Sequence, residues 1–137
     1  TAKPRTNAIK SMANQKCIDQ SNGNKEWGLQ AQMWDCIANN PNQDYTYNAD
    51  QRISAPGDNL CLDVWGGGTS NGTIVAQYGC HNGPNQKWTY GADKTLRPHN
   101  APDKCLDVTG MIQSNGGAKL IIWDCHGEAN QKWDIET

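Results

Sequence analysis

The stretch "NQKW" at residues 85–88 returns letter for letter at 130–133, and a near-copy, "NQDY", stands at 42–45. Reading outward from each copy gives the same landmarks in the same order. A Cys precedes each one, in "MWDC" (33–36), "QYGC" (77–80) and "IWDC" (122–125). Another Cys lies 19 or 20 residues further back, opening "CIDQ", "CLDV" and "CLDV" at Cys17, Cys61 and Cys105, which are spaced 44 residues apart. Between the Cys pairs fall "SNGN", "SNGT" and "SNGG". The chain therefore reads as three copies of one unit, roughly 1–47, 48–91 and 92–137, within a single domain spanning 1–137.

The units are not helical. Short apolar or alternating runs such as "CLDVW", "TIVAQY" and "KLIIW" are bounded by Gly, Asn, Pro and Asp, which are strand and turn signals. A unit of this length holds about four short strands. Three units are too few for a propeller, which typically needs at least four blades. A closed antiparallel barrel with a hairpin cap removes exposed edges. The expectation is thus an all-β fold, a β-trefoil with pseudo-threefold symmetry. In it Tyr45, Trp88 and Trp133 meet in the core, and the Gln two places before each bonds backbone in the turn beneath.

Composition agrees. Of 137 residues only 36% are apolar, with six Trp and no Phe, so the core leans on Trp and on crosslinks. The formal net charge is −2 and no like-charge block appears, which argues against nucleic acid or an anionic membrane surface as partner. The six Cys form no CxxC, so disulfides in an oxidising compartment are favoured over a metal site, and no cofactor is expected. Six Cys permit 15 pairings; the repeat symmetry selects Cys17–Cys36, Cys61–Cys80 and Cys105–Cys125. The longest apolar run, Leu120 to Trp123, is far too short to span a bilayer. The chain opens on Thr1 rather than Met, from which an effector domain linked on the N-terminal side is expected.

Cys-Leu-Asp-Val, then Asn-Gly, then aromatic-x-Cys, then Asn-Gln-x-Trp resembles the ricin B-type (R-type) lectin family, whose signature is the QxW repeat. The resemblance runs over essentially the whole chain in three in-register copies. It implies a β-trefoil binding galactose-type sugars, found in toxin B chains, in lectin domains of bacterial pore-forming cytolysins and in modules attached to glycoside hydrolases. The residues suit that chemistry. A galactose ring has an apolar C–H patch on one face and hydroxyls along its edge. An aromatic plate suits the patch, a carboxylate accepts from neighbouring hydroxyls, and an amide both donates and accepts.

Each unit offers such a set. The third carries Asp107, Ile121, Trp123, His126, Asn130 and Gln131 at the spacing of one galactose site of the family. The first carries Asp19, Gln32, Trp34, Asn42 and Gln43, and the second Asp63, Tyr78, His81, Asn85 and Gln86. By the family's pattern the Asp accepts from two sugar hydroxyls, the aromatic stacks, the Asn bonds a hydroxyl, and the Gln braces the Asp or the turn. His81 and His126 also read as solvated loop residues, and for His81 that reading is preferred. In order of match the units rank third, first, second, because Tyr78 is a smaller plate and Ala76 stands where some family sites have Gln. Trp27 and Trp65 are extra aromatics that either touch a glycan or pack a loop. Asn71-Gly72-Thr73 reads as a hairpin turn before it reads as a glycosylation sequon.

The expected function is a secreted, non-enzymatic lectin module for terminal galactose or N-acetylgalactosamine, meeting membranes through surface glycans and targeting a toxin such as a pore-forming cytolysin. A glycoside hydrolase module is the alternative, and a sugar-silent scaffold for protein binding a further one. A glycosidase would need two carboxylates facing one cleft, whereas these Asp residues fall one per unit.

Overall fold

A computed structural model of the chain describes residues 8–109 and 116–135. The outer ends of the first and third units and part of "SNGG" lie outside the described residues. Twelve short strands run through the rest, four to a unit. The first four are β1 (Ile9–Ser11), β2 (Cys17–Asp19), β3 (Gln32–Trp34) and β4 (Thr46–Tyr47). The second unit has β5 (Ile53–Ser54), β6 (Leu60–Val64), β7 (Val75–Gly79) and β8 (Trp88–Tyr90), and the third β9 (Leu96–Pro98), β10 (Lys104–Val108), β11 (Gly116–Asp124) and β12 (Trp133–Ile135). Among the described residues there is no α-helix, only one-turn 3-10 segments.

All pairings are antiparallel. The middle two strands of each unit form a hairpin: β2 with β3, β6 with β7, β10 with β11. Register sets the repeated Asp opposite the residue two before the aromatic, so Asp19 faces Gln32, Asp63 faces Ala76 and Asp107 faces Ile121. The hairpins meet one another through Ala31 N–H to Val75 O (3.0 Å) and Ile122 N–H to Thr73 O (3.0 Å). The first strand pairs with the last, Ile9 opposite Ile135, and closes the ring. The architecture is a β-trefoil.

The interior is where the three units agree. Ile18, Leu62 and Leu106, each next after the first Cys, are fully buried, as are Trp88 and Trp133, with Tyr45 nearly so; all belong to one core cluster. Neither indole wastes its donor: Trp88 Nε1 bonds Leu62 O (3.4 Å) and Trp133 Nε1 bonds Leu106 O (3.0 Å).

Disulfides join Cys17 to Cys36, Cys61 to Cys80 and Cys105 to Cys125, one in each repeat. Closing a loop of this length contributes about 3 kcal/mol by the chain-entropy estimate. Replacing both Cys105 and Cys125 by Ser is therefore expected to lower unfolding free energy by that amount in urea titration; an unchanged midpoint would refute it.

Candidate functional site

Each "Asn-Gln" sits in a single 3-10 turn: Pro41–Gln43, Pro84–Gln86 and Ala129–Gln131. Proline suits the first position because its φ is already set and its missing N–H is an orphan there anyway. In the first turn Asn40 Oδ1 also accepts from Asn42 N–H (3.0 Å). The turn sends the Gln inward, and Gln43, Gln86 and Gln131 are completely buried.

There each Gln makes the same three bonds. Its amide donates to the repeated Asp: Gln43 to Asp19 Oδ2 (3.0 Å), Gln86 to Asp63 Oδ2 (2.8 Å), Gln131 to Asp107 Oδ2 (2.7 Å). It donates also to the backbone carbonyl just before the second Cys, that of Asp35, Gly79 or Asp124. Its oxygen accepts the N–H just after that Cys, from Ile37, His81 or His126. One side chain thus ties turn, hairpin end and carboxylate together. A buried carboxylate needs such donors.

The other carboxylate oxygen is held differently. Asn85 Nδ2 reaches Asp63 Oδ1 (3.1 Å) and Asn130 Nδ2 reaches Asp107 Oδ1 (3.3 Å). In the first unit Gln32 Nε2 takes that part toward Asp19 Oδ1 (3.2 Å), while Gln32 Oε1 accepts from Lys119 Nζ (3.3 Å). His81 and His126 each accept a backbone N–H at Nδ1, from Gly83 and Glu128. With Nδ1 accepting, the ring N–H of each is at Nε2, which lies 3.6 Å from Asp63 Oδ2 and 3.7 Å from Asp107 Oδ2. Burial lifts the Asp63 and Asp107 carboxyls above the ordinary range, against the pull of the Gln amide and of the His.

Above each Asp opens a hollow, of about 410 Å³ in the first unit, 350 Å³ in the second and 360 Å³ in the third. Asp19, Gln32, Trp34 and Asn42 line the first; Asp63, Tyr78, His81 and Asn85 the second; Asp107, Ile121, Trp123, His126 and Asn130 the third. The three Gln residues stand beneath rather than in the walls. Trp34 and Trp123 are each 41% exposed. Asn130 Oδ1 is buried and finds no hydrogen-bond partner among the described residues.

One wall is read from the sequence only at Trp65. The residue two after each Asp, namely Ser21, Trp65 or Thr109, lines its hollow. The side chains share no chemistry, so no motif announces them. What recurs is the backbone, which turns left-handed at the next residue, Asn22 (φ 55°) or Gly66 (φ 66°). The second hollow also gains rings. Tyr78 lies 4.4 Å from Trp27 and 5.7 Å from Trp65, centroid to centroid, so the unit ranked last by its plate is the richest in aromatic surface.

Comparison with known proteins agrees with this geometry. The family model described as ricin-type beta-trefoil lectin domain matches residues 5–133. Among solved structures, a designed threefold-symmetric protein, ThreeFoil, superposes with a TM-score of 0.83 at 25% identity, covering 95% of this chain and 96% of that one. The earthworm R-type lectin C-half, solved with GalNAc, gives a TM-score of 0.76 at 26% identity, over 94% and 95% of the two chains. The hemolytic lectin CEL-III, at 23% identity and a TM-score of 0.75, shares the fold; this chain covers 29% of it. A search of curated protein sequences gave no match.

Proposed function

Because this chain belongs to the ricin-type β-trefoil lectin family, a carbohydrate-binding and not a catalytic fold, we propose that it binds terminal galactose or N-acetylgalactosamine in the three hollows over Asp19, Asp63 and Asp107. The observation that carries this reading is the third hollow. Exposed Trp123 stands beside a carboxylate already held in place by Gln131, and beside the Asn130 amide, which lines the same hollow. A hexose supplies what that arrangement wants: a C–H face for the indole, one hydroxyl for the carboxylate and another for the Asn130 amide. The earthworm lectin that shares the fold at 26% identity was solved with GalNAc, which supports the sugar class.

Shallow sites of this kind bind weakly, with Kd about 0.1–1 mM, or roughly 4–5.5 kcal/mol. Three on one rigid body convert weak contacts into avidity on a glycan-bearing surface. That is the use expected of the receptor-targeting module of a secreted toxin, and the three disulfides fit an oxidising compartment.

The test is a glycan array followed by calorimetry with galactose and N-acetylgalactosamine. Changing Asp19, Asp63 or Asp107 to Asn, one at a time, is expected to weaken its own hollow roughly tenfold or more, because charge-assisted bonds are lost. The other two hollows should remain. A triple variant that binds as well as the parent, or a parent that binds no hexose, defeats the reading.

A further inference from the structure

The second unit breaks the pattern of the other two at a pair of positions that face each other. In the third unit Lys104, just before the first Cys, sits opposite Asp124 and bonds it (2.6 Å); in the first unit Lys16 and Asp35 form the same pair. In the second unit these positions are Leu60 and Gly79, again opposite each other. A charge pair has been replaced by an apolar residue and a residue without a side chain. The space is taken by Trp27 from the first unit: a Cβ at Gly79 would come within 2.9 Å of its ring.

Trp27 is held there by a buried device. Gln77, almost fully buried, donates its amide to Asn24 O (2.9 Å) and Glu26 O (2.7 Å), and its backbone carbonyl accepts from Gly28 N–H (2.8 Å). Gln20, equally buried, donates to Gln77 Oε1 (2.8 Å). Three main-chain groups of the 24–28 loop are therefore held by Gln77 of the neighbouring unit. Yet the ring so carefully placed is 61% exposed, while Tyr78 beside it lines the second hollow. A single exposed tryptophan is ordinary, but this one continues the Tyr78 and Trp65 rings into one exposed aromatic patch beside the hollow.

We propose that the second hollow is a two-sugar site: Asp63, Asn85, Tyr78 and Trp65 hold the terminal hexose, and Trp27 takes the C–H face of the sugar linked to it. This rests on the hexose-binding reading above. An aromatic plate continuous with a hydroxyl-binding hollow suits a second pyranose, which offers another patch of C–H groups next to the first. Trp65 replaces Ser21 and Thr109 of the other hollows, stands at 79° to the Tyr78 ring and lies against the Trp27 loop at Gly28, so the three rings form one aromatic surface beside the hollow.

The experiment isolates this hollow in an Asp19→Asn, Asp107→Asn background and titrates galactose, N-acetylgalactosamine and lactose by calorimetry. Trp27→Ala is expected to lower the lactose-to-galactose affinity ratio about tenfold, and Trp27→Phe to lower it by less. In the background protein, saturation-transfer NMR should show the glucose ring of lactose receiving magnetisation from the protein, a readout that leaves Trp27 intact. An unchanged ratio, equal losses for galactose and lactose, an effect on N-acetylgalactosamine alone, or a glucose ring untouched by saturation overturns the proposal. If none of the three sugars binds the background protein, it is the hexose reading of this hollow that fails, and the extension falls with it.

Discussion

Trp133→Ala should remove about 3–5 kcal/mol of unfolding free energy, the usual cost of truncating a large buried aromatic. The indole is fully buried in the core, so the substitution leaves a cavity among close-packed neighbours and strands the Leu106 carbonyl that accepts from Nε1 at 3.0 Å. Trp123→Ala is the internal contrast. That ring is 41% exposed in the third hollow, and its loss should cost the fold little, while weakening sugar binding there. Urea titration of both variants checks the pair. Equal destabilisation would mean that the two tryptophans do not divide between core and site as the fold places them.

That division explains what the chain discloses in its letters. The core Trp, the Cys pairs and the Asp–Gln brace must be rebuilt in every unit, because each unit needs the same inward-facing turn and the same crosslink. Repetition makes them visible at 44-residue spacing. The β-trefoil and the residues of the three hollows follow from that repetition. Features that belong to one unit leave no such trace. Asn42 keeps the repeated place, yet Gln32 holds Asp19 in its stead, because only the first unit has an amide opposite its Asp. Trp27 belongs by sequence to the first unit and by contact to the second, across a loop whose bonds run between residues about fifty positions apart. Its one clue is negative: Leu60 and Gly79 where the sister units have Lys and Asp. Ranking the hollows by their own plates leaves out the rings that other loops bring to the second. Asn71, read as a turn residue, also reaches forward a unit, exchanging two bonds with Asp124 (3.0 and 2.8 Å) beside the third hollow. Loops that stabilise the neighbouring unit are free to differ, since each meets a different partner.

Gln131→Leu is expected to be as costly as the core truncation, for a different reason and with a different pH profile. Leucine fills similar space, so the loss is one of hydrogen bonds. Left without their partner are Asp107 Oδ2, the Asp124 carbonyl and the His126 N–H. Three orphaned polar groups, one of them charged, make about 3–5 kcal/mol at neutral pH. Burial already raises the Asp107 carboxyl above its ordinary range, and the Gln131 amide is the largest influence pulling it back. Without that amide the folded-state value rises further. A carboxyl whose folded pKa exceeds its unfolded one stabilises the fold in its protonated form. That contribution is complete below the unfolded value, about 3.9, and is lost as pH climbs through the folded one. The deficit of the variant against the parent should therefore be greatest near pH 7.5 and shrink toward pH 4. Exposed Asp50, Asp93 and Asp124, whose carboxyls are held below the ordinary range, weaken both proteins together on acidification and drop out of the difference. Paired urea titrations at the two pH values measure it. A deficit that stays constant between them would show that Gln131 contributes through packing and backbone bonds alone, and that the carboxylate beneath the third hollow does not depend on it for its charge.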